Sequence, residues 1–122
     1  MDLPPVGGDH DSCWAAWGVY EAEIGDEHWV HNMEHGAVVF LYNCPDGCAT
    51  EVEQMVQFVD AHWGTSLLAP YSLMDSKFAL AAWGVRLVSE CFDLEAAEAF
   101  YASHVDQGPE STSSMPPDRC MD

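Results

Sequence analysis

The chain has 122 residues and a mass of 13.5 kDa, one domain's worth, which excludes most multidomain enzymes. Hydrophobic residues are 48% and charged residues 20% of it, the balance of a folded globule with enough chain to bury roughly two-thirds of its unfolded surface. Lys77, Arg86 and Arg119 stand against 21 acidic residues, for a formal charge of −18; with no basic patch, nucleic-acid phosphates and anionic membrane surfaces are excluded as partners, and metal cations or basic proteins are favoured.

Residues 1–13 are rich in Pro, Gly and Asp and read as an irregular arm. Met1-Asp2-Leu3-Pro4-Pro5 has neither the basic start nor the apolar run of a signal peptide, and no stretch reaches the about 20 apolar residues of a membrane span. Residues 14–36 hold aromatics and histidines without a clean period, and are expected to be loop with short strand pieces around Trp17–Ala22. Ala37–Tyr42 (AVVFLY) is a continuous apolar, β-branched run, the pattern of a central strand, and it stops at the turn Asn43-Cys44-Pro45-Asp46-Gly47-Cys48.

A helix is expected next, with Thr50 and Glu53 as a capping box, Val52, Met55, Val56, Val59 and Trp63 as its buried stripe, and Gly64 at its end. Ser66–Pro70 reads as a short strand. Phe78–Trp83 and Val85–Ser89 read as further strand bent at Gly84. Asp93 caps a second helix running to about Val105, stopped by Gly108-Pro109. The order β-α-β-β-α predicts an α+β fold: a small antiparallel or mixed sheet of about four strands, with two helices packed on one face, preceded by the Pro/Gly-rich arm. Residues 1–110 are expected to be the single domain and 111–122 a flexible tail.

The chemistry concentrates in His28-Trp29-Val30-His31-Asn32-Met33-Glu34-His35-Gly36. One helical turn would set His31 and His35 on the same side, and imidazole is the commonest ligand of zinc or copper. Glu34 can add a ligand oxygen, fix a ring tautomer or act as a base. The alternative is a polar turn whose histidines bond to the backbone. The letters H-x-x-E-H also spell an inverted zinc-protease motif, but that motif lies within long helices of larger chains, and here Gly36 and a β-run follow at once.

In family order, the pieces Pro4-Pro5 with Gly8 and His10, Trp14-Ala15-Ala16-Trp17-Gly18-Val19-Tyr20, His31-Asn32-Met33-Glu34-His35-Gly36, Ala69-Pro70-Tyr71, Ala81-Ala82-Trp83-Gly84 and Gly108-Pro109-Glu110 resemble the bacterial domain of unknown function 3105 family. The resemblance spans nearly the whole chain. It implies no activity. It does imply that the motif histidines are His10, His31 and His35, a tris-histidine site for a transition-metal ion, copper or zinc, with Glu34 orienting or supplementing them. Met33, which stands where Leu is typical, and Met74 are secondary candidates for sulfur ligation or for the surrounding shell. Family members often follow a signal or membrane anchor, which implies export.

Five cysteines are many for a reduced cytosol. Together they favour a periplasmic or secreted protein, with the cytoplasm as the alternative. Cys44 and Cys48 are expected to close their loop as a structural disulfide, with Cys13 and Cys91 as a second candidate pair stapling the arm to the sheet and Cys120 left over. The leading function is therefore binding, buffering or delivery of copper or zinc in the cell envelope. The alternatives are a thiol–disulfide redox protein using Cys44 and Cys48, a hydrolase or oxidase using Glu34 as base, and a metal-free interaction domain with a protein partner.

Overall fold

A computed structural model describes residues 4–7 and 14–109. The apolar run at its centre becomes a strand with both faces covered, and the rest of the fold is arranged around it. In chain order the elements are β1 (Gly18–Val19), α1 (Asp26–Glu34), β2 (Val38–Tyr42), α2 (Ala49–Ala61), β3 (Ser66–Pro70), β4 (Phe78–Ala82), β5 (Val85–Ser89) and α3 (Leu94–His104). They form one mixed sheet in the spatial order β1-β3-β2-β4-β5. β1, β3 and β2 run parallel, whereas β2–β4 and β4–β5 are antiparallel pairs. The α+β class and the mixed sheet are thus as the sequence predicts.

Three details differ. First, the sheet has five strands, because one of the short strand pieces expected around Trp17–Ala22, Gly18–Val19, pairs with β3. Second, residues 26–34 are helical. Third, the two expected helices, α2 and α3, do share one face, and α1 covers the other. The registers Val39↔Leu67, Val39↔Ala81, Leu41↔Ala69 and Leu41↔Ala79 place these side chains on one face, where they form a core with Trp29, Val30 and Met33 of α1. Val38, Phe40, Leu68, Phe78 and Leu80 point the other way and pack on Met55, Phe58 and Val59 of α2 and Ala97 and Phe100 of α3. Side chains alternate along a strand, so β2 can be apolar at every position only if both faces are covered.

The capping box at Thr50 is not used. Cys48 is the N-cap of α2, and Thr50 is already inside the helix. Phe58 replaces Trp63 in the buried stripe, and Trp63 is 68% exposed. Gly84 is not a bend within one strand: with φ +82° it forms, with Trp83, the two-residue connection of the β4–β5 hairpin closed by the Ala82↔Val85 pair. Asp93 caps α3 as predicted, accepting from the Glu95 N–H at 3.0 Å.

Candidate metal centre

α1 has no side-chain cap at Gly25, but Asp26 and Glu27 in its first turn suit the positive end of the helix dipole. It ends in a Schellman turn: the Gly36 N–H donates to the Met33 carbonyl at 2.9 Å and the Ala37 N–H to the Asn32 carbonyl at 3.1 Å. Gly36 takes φ +97°, and a Cβ there would stand 2.5 Å from Cα of Asp106. The glycine is therefore required both by the turn and by the close approach of the chain that follows α3, whose Asp106 N–H donates to the Gly36 carbonyl at 2.7 Å.

A helix turns about 100° per residue. Trp29, Val30 and Met33 then share one side of α1, buried against the sheet, while His31, Glu34 and His35 share another. Nitrogen or oxygen ligand atoms of these three residues lie within 4.8 Å of one another. The two imidazoles are 5.2 Å apart between ring centroids, inclined at 39°. His31 and His35 are buried, 7% and 2% exposed, and Glu34 is half-buried. Two donors each about 2.1 Å from a tetrahedral zinc are about 3.4 Å apart, so small side-chain rotations would close this set on one ion. Two imidazoles and a carboxylate suit zinc or copper equally.

Asn32, between the histidines, is a site residue that sequence reasoning passed over. Its Oδ1 accepts from the Ala15 N–H at 2.8 Å and its Nδ2 donates to the Ala15 carbonyl at 3.0 Å. The only trace of this in the sequence is its place inside the motif. Tyr71 is another: its hydroxyl donates to Oδ2 of Asp26 at 3.0 Å and its ring meets Trp29 edge-on, which fixes the start of α1 over the end of β3. Burial, the Asp26 hydrogen bond and the charges of Asp26 and Glu23 push the Tyr71 phenol well above its ordinary value.

The remaining candidates are placed as follows. His10 and Cys13 lie outside the described residues, as does the tail from residue 110. Met33 and Met74 are both buried in the core on the α1 face, where packing accounts for them. His28 contacts Glu27 at 3.8 Å. His62 bonds the Phe58 carbonyl through Nδ1 at 2.7 Å and stacks on the Phe58 ring, and His104 lies against Phe100. Cys44 and Cys48 form a disulfide. Cys91 is an exposed free thiol just beyond β5, and Cys13, its expected partner, lies outside the described residues.

The family model described as Protein of unknown function (DUF3105) matches residues 1–116, and the chain belongs to that family. No curated protein and no solved structure matches it.

Proposed function

We propose that residues 1–110 form a metal-binding domain that holds one copper or zinc ion through His31 and His35, with His10 as the third imidazole and Glu34 as ligand or orienting carboxylate, and that its role is to buffer or deliver that ion in the cell envelope. The observation that carries this reading is the convergence of His31, Glu34 and His35 on one side of α1. The described residues on either side of His10, Val6 and Ala15, both pack at the α1-side core. Gly7 packs on Trp83, Val6 and Trp83 both border the α1-side core, and Ala15 is fastened to Asn32. The net charge of −18 raises the local concentration of cations.

The Cys44–Cys48 disulfide suits an oxidising compartment, which supports a location outside the cytoplasm. No helix among the described residues is long and apolar enough to cross a membrane. The test is metal content by mass spectrometry on untagged protein, loaded separately with copper and zinc and passed through gel filtration. About one retained ion per chain is expected, lost in His31→Ala and His35→Ala and kept in His104→Ala. Retention of no ion under either condition would overturn the reading in favour of a metal-free interaction domain.

A further inference from the structure

The cysteine pair sits at the opposite end of β2 from His35 and uses none of the histidines. His35 precedes that strand and Cys44 follows it, so a strand's length of about 17 Å lies between them. Cys48 is the N-cap of α2, at the end where unpaired N–H groups and the helix dipole favour negative charge. Cys44 instead lines a cavity of about 290 Å³ at the carboxyl ends of the parallel strands β2 and β3, walled also by Glu23, Tyr42, Asn43, Pro70 and Tyr71. The cavity is firmly built. The Tyr71 N–H donates to the Tyr42 carbonyl at 2.8 Å, the Asn43 N–H to the Lys77 carbonyl at 2.7 Å, and Asn43 Nδ2 to the Met74 carbonyl at 2.7 Å. Cys44 thus borders the cavity, while Cys48 stands at the helix end that favours a thiolate.

We propose that the Cys44–Cys48 disulfide is redox-active and oxidises a protein dithiol that enters this cavity, with Cys44 the sulfur attacked and Cys48 the leaving group. A substrate thiolate bonds to Sγ of Cys44, the Cys44–Cys48 bond breaks, and its electron pair leaves on Cys48, which then takes up a proton. A lower thiol pKa makes a better leaving group, so the end of α2 sets the direction of attack. The substrate's second thiol loses its proton and attacks the substrate sulfur in the mixed disulfide, and Cys44 departs as thiolate to be protonated. Two electrons and two protons pass from the dithiol to the cysteine pair. Glu23 in the cavity wall, on a chain of net charge −18, gives the site an acidic character, which selects a neutral or basic segment over an anionic thiol.

The test uses the full oxidised chain carrying Cys91→Ser, which removes the exposed thiol. It is exposed to dithiothreitol at pH 7 without denaturant, then alkylated and read cysteine by cysteine by mass spectrometry. The Cys44–Cys48 bond is expected to open at least about tenfold faster than the same disulfide in an isolated peptide spanning residues 42–52, and glutathione is expected to be the poorer reductant. Separately, thiolate absorbance of reduced Cys44→Ser, minus that of Cys44→Ser/Cys48→Ser, should place the Cys48 titration below that of a free thiol. A bond that opens no faster than in the peptide, or a Cys48 that titrates like a free thiol, would overturn the proposal. Adding His31→Ala should leave both readouts unchanged, which separates failure here from failure of the metal site.

Discussion

The side-chain amide of Asn32 holds the backbone of Ala15 at both its polar groups, 2.8 and 3.0 Å apart in the two hydrogen bonds, with Asn32 fully buried and seventeen residues separating them in sequence. The amide satisfies a donor and an acceptor that no sheet partner reaches. It thereby fastens the segment leading out of the N-terminal arm to the helix that carries the two buried histidines. A residue in the middle of the histidine motif is therefore a structural clamp, and the clamp and the candidate ligands occupy one turn of helix.

Asn32→Ala leaves the Ala15 N–H and C=O buried without partners, which costs about 2–4 kcal/mol for the two groups together. Chemical denaturation should show that loss, and Asn32→Asp, which keeps only the acceptor, should not recover it. If the arm supplies His10, metal retention should fall in Asn32→Ala under conditions where the protein is still folded. An arm that contributes nothing to the site would leave retention at the level of the parent.

Gly36 and Gly84 both have φ in the left-handed region, at +97° and +82°, but their surroundings differ. Around Gly84 a Cβ would meet nothing within 4 Å, whereas at Gly36 it would collide with the Asp106 backbone. Gly84→Ala should cost about 1–2 kcal/mol from backbone conformation alone. Gly36→Ala should cost at least about 1 kcal/mol more, because either α1 or the chain after α3 must move. Equal losses by denaturant titration would show that the close approach is relieved without cost.

β2, β3 and β4 were legible because unbroken apolar runs stop at Asn43, Pro70 and Gly84, β5 because an alternating run starts after Gly84, and α3 because Asp93 gives its cap a side chain. α1 was not. Its N-cap is a glycine, and His31 and Asn32 are buried polar residues that interrupt the apolar period between Trp29, Val30 and Met33. The buried polar residues of the segment hid its secondary structure. The placement of helices on both faces was available in AVVFLY itself, since a strand covered on one side alternates and this one does not. The N-cap at Cys48 was hidden for another reason: Thr50 and Glu53 satisfy the capping pattern, but the turn ending at Cys48 starts the helix earlier.

Stability should respond to pH at both ends of the range, with opposite signs. The Tyr71 phenol is held above its ordinary 10.0 by burial and by Asp26, so its contribution is complete below pH 10 and is lost as pH rises further, when the unfolded chain ionises first. Glu23 is held below its ordinary 4.5 by hydrogen bonds from the Ser72 side chain and N–H. Its contribution is present above that value and is lost as pH falls through the lower, folded-state value. Denaturation of Tyr71→Phe should therefore show a shallower alkaline decline than the parent, and Glu23→Gln a shallower acid decline. Curves parallel to the parent would refute each assignment.

The disulfide between Cys44 and Cys48 closes a very short loop, with a sequence separation of 4. Loop-closure entropy then gives it about 2 kcal/mol. Cys44→Ala/Cys48→Ala should lose about that amount by denaturant titration and remain folded, because α2 is held by Met55, Phe58 and Val59 rather than by the sulfur bridge. A double variant that fails to fold would make the bridge a structural necessity, and a pair that cycles between oxidised and reduced states in service could not then be sustained.

A bound ion should stabilise the fold by linkage. Metal at 100 times its dissociation constant adds about 2.7 kcal/mol if it binds only the folded chain, and chelation removes the same amount. Thermal unfolding in zinc, in copper and in chelator should separate by several degrees for the parent and for His104→Ala. The separation should collapse for His31→Ala and His35→Ala, whose own stability in chelator isolates the packing cost of losing a buried ring. Because His35 lies at the Schellman turn beside Gly36, metal bound there would hold the C-terminal end of α1 directly. Hydrogen exchange of the Gly36 and Ala37 amides should accordingly slow on loading. Protection confined to other regions would place the ion elsewhere.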